Sequence, residues 1–129
     1  MSEFVLDASA LLALIQGEAG AERVAEVLDR TVISAINLAE VVTRLADRGV
    51  PGKAIRRQLV RLGLSLVSVD EDLAYAAGLL RPVTRAFGLS LGDRVCIALA
   101  RRLGATALTT DRAWARLEIG VAIELVRAD

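Results

Sequence analysis

Short runs of strand-forming residues alternate along this chain with longer segments in which apolar residues recur every three or four positions. The short runs predict strands at 4–6, 31–33, 64–69, 106–109 and 121–126. The longer segments predict helices at about 8–16, 20–30, 35–48, 52–62, 71–87, 91–103 and 112–117. Such alternation is typical of a parallel sheet with helices on both faces. We therefore expect an α/β fold: a three-layer α/β/α sandwich with a mostly parallel central sheet of four to five strands.

The first predicted strand and a proline refine this expectation. The run Phe4-Val5-Leu6 is wholly apolar, as a central strand buried on both faces would be. Pro82 is expected to kink or break the 71–87 segment, because proline lacks the N–H that a helix interior requires. The chain has 129 residues, long enough for one hydrophobic core, and we expect residues 1–129 to form a single domain.

Composition excludes several classes of protein. Apolar residues make up 54% of the chain and charged residues 25%, which is incompatible with a disordered chain. The chain has no histidine and one cysteine, Cys96, which excludes Ser-His-Asp triads, Cys-His pairs, histidine metal sites and zinc ribbons. A lone cysteine favours no oxidising compartment, and the longest uncharged apolar run, 8–17, is far shorter than the ~20 residues of a membrane span. We therefore expect a cytoplasmic protein with no membrane segment.

The net charge is zero, but one stretch of the chain is strongly basic. Residues 44–61 hold six bases and one acid, a balance of +5. The bases are Arg44, Arg48, Lys53, Arg56, Arg57 and Arg61. Arginine suits phosphate because its planar fork can donate two parallel hydrogen bonds, although a solvated helix face would also carry such charges.

Three aspartates stand at the ends of predicted strands or the starts of predicted helices. Asp7 follows the first strand, Asp93 opens a helix in Ser90-Leu91-Gly92-Asp93, and Asp111 follows the fourth strand. Each also has a structural explanation, because aspartate before a helix often accepts backbone N–H bonds as a cap. Ser90 with Asp93 three residues later fits a capping box. Taken singly, each aspartate is better explained as a cap.

Glu40 is an acid that no cap explains, because it lies inside the predicted helix 35–48. Polar residues occupy one stripe of that helix, at Asn37, Glu40, Arg44 and Asp47. The simplest alternative for Glu40 is a solvent-facing glutamate paired with Arg44 at i+4.

The four acids gain significance when they are placed on the expected fold. Loops that follow parallel strands gather at one edge of the sheet, where ligands bind near the switch in strand order. Four converging carboxylates would repel one another unless a cation lay between them, and without histidine or cysteine ligands that cation would be Mg²⁺ or Mn²⁺. A carboxylate-metal centre beside a basic helix is the arrangement of metal-assisted phosphodiester hydrolysis.

Four segments, in this order, resemble the PIN-domain ribonucleases, especially the VapC toxins of bacterial and archaeal toxin–antitoxin pairs. They are Phe4-Val5-Leu6-Asp7-Ala8-Ser9-Ala10, Ser34-Ala35-Ile36-Asn37-Leu38-Ala39-Glu40-Val41, Leu89-Ser90-Leu91-Gly92-Asp93-Arg94 and Leu108-Thr109-Thr110-Asp111-Arg112-Ala113-Trp114. Each segment is weak evidence alone, but together they are specific and span nearly the whole chain.

The resemblance implies a PIN-like fold and a particular site. Its acidic centre falls on Asp7, Glu40, Asp93 and Asp111, and would bind one or two Mg²⁺ or Mn²⁺ ions. Supporting polar residues fall on Ser9, Asn37 and Thr109, for which local backbone hydrogen bonds or, for Asn37, ordinary exposure are equally good explanations. The basic candidates for RNA contact are Arg44, Arg48, Lys53, Arg56, Arg57, Arg94 and Arg112.

The resemblance also implies partners. Family members cut single-stranded RNA, often transfer or ribosomal RNA, and are silenced by a cognate antitoxin whose C-terminal arm occupies a groove of the toxin. Many form homodimers, and Ile55, Leu59 and Leu62 are candidate positions for a dimer or antitoxin surface, although we expect most of them in the core. Trp114 is the best candidate for stacking on a base, although burial is the better expectation.

Other functions fit the chain less well. A haloacid-dehalogenase-like phosphatase would need an acid where Ser9 stands, and a receiver domain would need adjacent acids at the first strand. The stronger alternative is a non-catalytic PIN-like module that binds RNA or protein, although the presence of all four acids favours the nuclease.

Overall fold

The computed structural model describes residues 2–127 and contains a five-stranded sheet. The strands are β1 (Phe4–Leu6), β2 (Thr31–Ser34), β3 (Leu66–Val67), β4 (Thr106–Thr109) and β5 (Ile123–Leu125). Their order is β3-β2-β1-β4-β5, and every neighbouring pair is parallel. The expected parallel α/β sheet is confirmed in its five-strand form. The ends of the expected domain, residue 1 and residues 128–129, lie outside the described range.

Seven α-helices connect the strands. They are α1 (Ala8–Gln16), α2 (Ala21–Val27), α3 (Ala35–Asp47), α4 (Gly52–Arg61), α5 (Glu71–Leu79), α6 (Arg81–Thr84) and α7 (Leu91–Leu103). Parts of three predicted helices are 3₁₀ turns instead, at Leu28–Arg30, Arg85–Phe87 and Arg112–Arg116. The predicted segment 71–87 is indeed broken, with Pro82 in the first turn of α6, where a missing N–H costs nothing.

Each sheet face has its own core, because successive side chains of a strand point to opposite faces. Phe4 and Leu6 pack into one core with residues of α1, α2, α3 and α4. Val5, between them, packs into the other core with residues of α5 and α7. The three-layer α/β/α sandwich is therefore confirmed, and the wholly apolar sequence of β1 follows from its burial on both faces.

The strand order changes direction at β1, the central strand. β2 and β3 lie on one side of β1, and β4 and β5 lie on the other. Leu6 is aligned with Leu108, so β1 and β4 end almost level. The Asp7 amide donates to the Leu108 carbonyl at 2.9 Å and continues this ladder by one residue. Ligands of parallel α/β proteins bind at such a switch point, and the residues after β1 and β4 lie there.

None of the helices within residues 2–127 has the length and apolar character that crossing a bilayer requires.

Candidate metal centre

Asp7 is a buried carboxylate at the end of β1, with only 4% of its surface exposed. It occupies the N-cap position of α1, yet its side chain makes no capping hydrogen bond. The Oγ atoms of Ser9 and Thr109 both donate to its Oδ2, at 2.7 and 2.8 Å. The cap explanation is therefore wrong for Asp7, because hydroxyl groups from two elements hold the carboxylate instead.

Ser9 and Thr109 each satisfy a backbone group as well as Asp7. Ser9 Oγ accepts from the amide of Thr110 at 3.0 Å, and Thr109 Oγ1 accepts from the amide of Asp111 at 3.1 Å. The two hydroxyl oxygens lie 3.2 Å apart. Each hydroxyl therefore makes both the local backbone bond and the supporting bond to Asp7. Together these bonds join the start of α1 to the loop after β4.

Glu40 is oriented by Asn37, which lies one turn earlier on α3. Asn37 Nδ2 donates to Glu40 Oε1 and to the Gly92 carbonyl, both at 3.0 Å. Its Oδ1 accepts from Ser34 Oγ at 2.7 Å, and Ser34 also caps the helix. Asn37 is fully buried, so the expectation of ordinary exposure is wrong. The side chain joins α3 to the start of α7 and thereby holds Glu40 toward Asp93.

Gly92 makes this approach possible. A Cβ atom at position 92 would collide with the carboxylate of Glu40. Sequence reasoning missed both Gly92 and Ser34 as site residues. The only signal for them was their position, immediately before Asp93 and at the cap of the helix that carries Glu40.

The other two acids also cap local structure. Asp93 and Ser90 form a reciprocal capping box: Asp93 Oδ2 accepts from the Ser90 amide at 2.9 Å, and Ser90 Oγ from the Asp93 amide at 3.2 Å. Asp111 Oδ1 accepts from the Ala113 amide at 2.9 Å and begins the following 3₁₀ turn. The cap explanation is confirmed for both, which does not prevent either from facing the site.

All four acids line one cleft of about 600 Å³. The pKa of Asp7 is raised to about 6, first by burial and also by the charges of Asp93 and Glu40, while the hydroxyl bonds act in the opposite direction. Burial also raises the pKa of Glu40, and the charge of Asp93 adds to this rise. The pKa of Asp93 is raised by burial and by the charge of Asp111. The predicted convergence of the four acids on one cleft is therefore present.

The donor chemistry suits a hard divalent cation, since every acid offers carboxylate oxygens and burial penalises their negative charge. Within residues 2–127, however, no three acids stand close enough together to hold one ion with their side chains as they lie. Capping bonds hold one oxygen of Asp93 and one of Asp111, and Asn37 holds one oxygen of Glu40. A closed set of ligands would require rotation of these side chains.

The candidate RNA contacts are divided between different surfaces. Arg44 and Arg48 line the cleft beside Glu40. Lys53, Arg56 and Arg57 are exposed on α4, and Arg112 is exposed after Asp111. Arg94 is different, because its Nη1 donates to the Ala77 carbonyl at 3.2 Å and so is turned toward α5.

Trp114 is fully buried in the core beneath α7, as expected, and cannot stack on a base. Ile55 and Leu59 are also buried, as expected, in the core on the other face of the sheet, and Leu62 is partly buried against that core. The outer surfaces of Ile55 and Leu59 contribute to an apolar groove of about 580 Å³ between α3 and α4. Val42, Val60 and Leu66 form its exposed walls.

Comparison with known families gives one consistent result. The PIN domain family matches residues 4–120. Ribonuclease VapC42 of Mycobacterium tuberculosis is 34% identical over 110 residues, covering 78% of this chain and 84% of the relative. A VapC ribonuclease of Mycobacterium bovis matches to the same extent.

Solved structures of similar fold include toxin–antitoxin complexes. The DNA-bound VapBC of Salmonella typhimurium has a TM-score of 0.68 and 22% identity, and covers 96% of this chain and 98% of its own. A toxin–antitoxin complex from Klebsiella pneumoniae has a TM-score of 0.69 and 21% identity, and covers 88% and 91%. At this level of identity these structures support the shared fold alone.

Proposed function

Since the chain belongs to the PIN-domain family and groups with the VapC proteins, we propose that it is a Mg²⁺- or Mn²⁺-dependent endoribonuclease, the toxin of a toxin–antitoxin pair. The observation that carries the proposal is the sharing of one cleft by Asp7, Glu40, Asp93 and Asp111 at the switch in strand order. The likeness to VapC ribonucleases supplies the substrate class, RNA, with transfer or ribosomal RNA as the proposed targets.

The four acids would hold one or two ions. A bound divalent ion lowers the pKa of water and stabilises the charge that develops on a phosphate. The protein residues do the positioning: Ser9 and Thr109 fix the buried Asp7, and Asn37 fixes Glu40. Because the hydroxyl bonds exist before RNA arrives, Asp7 needs no reorientation on binding, and the rotation that closes the ligand set falls to the other three acids. Arg44 and Arg48 place positive charge at the same cleft.

The experiment is cleavage of total RNA by antitoxin-free protein in Mg²⁺ or Mn²⁺, against EDTA. Asp93→Asn is the test variant, because asparagine can still accept the capping bond from Ser90. Asp72→Asn, an exposed acid in the first turn of α5, is the matched control. We expect discrete fragments from the wild type and the control, and none with EDTA or Asp93→Asn. Mapping the fragment ends identifies the RNA.

A non-catalytic module that binds RNA or protein is the second candidate. The absence of a closed ligand set among the acids of residues 2–127 favours it. Intact RNA in every lane, with folded and antitoxin-free protein, would support this module and contradict the nuclease.

We propose the antitoxin as a partner because similar structures are VapBC complexes and because this chain has an apolar groove between α3 and α4. Val42, Val60 and Leu66 give the groove exposed apolar walls, and Arg56 contributes a base. An apolar and acidic segment of the antitoxin would fit both properties. A cytoplasmic location, where RNA and antitoxin are both present, is proposed with it.

We propose a homodimer through a different surface, the outer face of α5 and α6. Tyr75, Leu79 and Val83 are 65%, 75% and 56% exposed there, an unusual concentration of apolar surface. Ala74 and Gly78 leave a hollow of about 310 Å³ beside the side chains of Tyr75 and Leu79. A surface that carries both the protrusions and the hollow is suited to a two-fold contact with a second copy.

A further inference from the structure

The cleft that holds the four acids extends past them along α3, and this outer part contains basic groups. Arg44 and Arg48 follow Glu40 by four and eight residues, and all three line the cleft. A helix rises 1.5 Å per residue, so these side chains succeed one another at intervals of about 6 Å. Within residues 2–127, neither arginine forms an ion pair with an acid. The acid Glu18 also lines this part of the cleft, so that together with the two arginines it gives a net charge of +1.

Gln16 supplies an independent observation. It is the last residue of α1 and lines the same cleft. Its Nε2 is buried and has no hydrogen-bond partner among the described residues. Buried donors are almost always paired, because an unpaired one loses its hydration without compensation. Because Gln16 lines the cleft, a rotation of its side chain would bring the amide to an acceptor supplied by a ligand there and so satisfy it.

We infer that Gln16, Arg44 and Arg48 form a subsite for a backbone phosphate of single-stranded RNA, next to the phosphodiester that lies at the four acids. The inference rests on the proposed function for the identity of the strand. An arginine fork donates two bonds to a phosphate, and the amide of Gln16 donates a third. Contacts of this kind fix the path of a strand and do not read its sequence. The strand therefore runs from the acids along α3.

The first test measures affinity, so it does not depend on cleavage. Every protein carries Asp93→Asn, and the probe is a short fluorescein-labelled oligouridylate followed by anisotropy in Mg²⁺. The test variant adds Arg44→Gln and Arg48→Gln. The control adds Arg81→Gln and Arg85→Gln, which remove the same charge from exposed positions at the same spacing on the opposite side of the sheet.

We expect the test variant to bind at least tenfold more weakly and the control to stay within about twofold. The slope of log affinity against log salt should fall by about 0.7 in the test variant, since the subsite holds one phosphate and each phosphate contact to a single strand contributes about 0.7. Equal affinities and slopes in the test variant and the control would overturn the subsite.

The second test separates a ligand-directed Gln16 from a structural one. Gln16→Leu removes the donor and keeps the approximate volume. We expect weaker oligouridylate binding with an unchanged salt slope, because a neutral contact is lost, and an unchanged or higher melting temperature without RNA. Unchanged affinity with a lower melting temperature would overturn the role of Gln16.

These outcomes are distinct from failure of the proposed function. A protein that cuts no RNA but loses affinity in the arginine variant alone would retain the subsite and lose the nuclease. A protein that cuts RNA with no difference in affinity between the variants would retain the nuclease and lose the subsite.

Discussion

At the scale of single residues, the fold keeps Asp7 in an environment that disfavours its charge. The carboxylate is almost fully buried, and the only compensation from within the described chain is two hydroxyl donors on one oxygen. Burying a carboxylate in this way costs folding free energy unless an opposite charge accompanies it. Asp7 is therefore expected to lower the folding stability of the metal-free chain, as residues at functional sites commonly do. The proposed binding of a cation would offset this cost.

This environment predicts a pH dependence of stability in the metal-free protein. The pKa of Asp7 is about 6 in the folded chain and 3.8 without the fold, so the folded chain binds this proton more tightly. Stability should therefore fall as pH rises from about 4 to about 6 and remain lower above that range. Urea denaturation in EDTA at intervals of pH measures the effect. Stability that rises over this range would contradict it.

The matched prediction is that Asp7→Asn stabilises the metal-free protein at pH 7 by on the order of 1–3 kcal/mol, because a shift of one pKa unit corresponds to about 1.4 kcal/mol. Asparagine Oδ1 can still accept from Ser9 and Thr109. Mn²⁺ should raise the melting temperature of the wild type and leave that of Asp7→Asn unchanged. A variant less stable than the wild type at pH 7 in EDTA would show that the charge of Asp7 is well compensated.

Gly92 gives a second prediction at this scale. In Gly92→Ala the new methyl group must displace the Glu40 carboxylate, which is at the end of a flexible side chain. We expect stability to change by less than about 1 kcal/mol, because the helix propensity of alanine offsets the displacement. RNA cleavage should fall at least tenfold. Gly52→Ala, where the added methyl meets nothing within 4 Å, is the control and should cleave normally.

At the scale of elements, three of the four acids lie where a strand ends or a helix begins, and Glu40 alone of the four lies in the interior of a helix, α3. Ser90 shows how such an end serves both folding and the site, because its capping box with Asp93 begins α7 and it also lines the cleft. An exchange of hydrogen bonds between two side chains and two amides fixes the first turn of the helix. The position of Asp93 therefore depends on the cap.

Ser90→Ala is expected to destabilise the protein by about 1 kcal/mol, the usual cost of losing an N-cap side chain. Chemical denaturation measures this change. Ser68→Ala, in the exposed loop between β3 and α5, is the control and should lie within about 0.5 kcal/mol of the wild type. Equal stabilities of the two variants would show that the Ser90 hydroxyl contributes nothing net.

The elements themselves were largely predictable, because hydrophobic periodicity and cap residues act locally. Helices 8–16 and 91–103 were predicted with the observed bounds. The third strand was predicted at 64–69 but is only Leu66–Val67, because an edge strand that pairs with β2 alone receives little support from tertiary contacts. The segment 112–117 is a 3₁₀ turn, which its pattern does not distinguish from an α-helix.

The site was predictable as a set of acids and not as a network. Asp7 as a cap and Asn37 as an exposed residue were both wrong, since each depends on contacts with distant segments: Thr109 for Asp7 and Gly92 for Asn37. The sequence contains no local signal for such contacts. The order of the four acids along the chain produces the resemblance. The hydrogen bonds that hold them depend on how distant segments meet in the folded chain.

At the scale of the whole molecule, the two sheet faces present two different apolar surfaces. The groove between α3 and α4 lies on one face, and the α5 surface with Tyr75 and Leu79 lies on the other. We therefore expect the proposed antitoxin and a second copy of the chain to bind at the same time without competition.

Two charge substitutions test this separation. Val60→Glu, in the groove wall, should abolish copurification with the proposed antitoxin and leave the mass in solution unchanged. Leu79→Glu should reduce that mass to one chain and leave antitoxin binding intact. Both side chains are more than two-thirds exposed, at 72% and 75%, so neither change should unfold the protein. Light scattering and copurification are the measurements, and a variant that loses both partners while folded would contradict separate surfaces.

The bond between Asp7 and Thr109 spans 102 residues of chain, because β1 pairs with β4, a strand made much later. At about 5–20 residues per second, Asp7 leaves the ribosome roughly 5–20 s before the threonine that fixes it. A nascent chain that ends before β4 lacks Thr109 and Asp111 and cannot complete the cleft. On the proposed function, such a chain would stay inert toward the messenger and the ribosome that produce it until β4 and the loop after it have emerged.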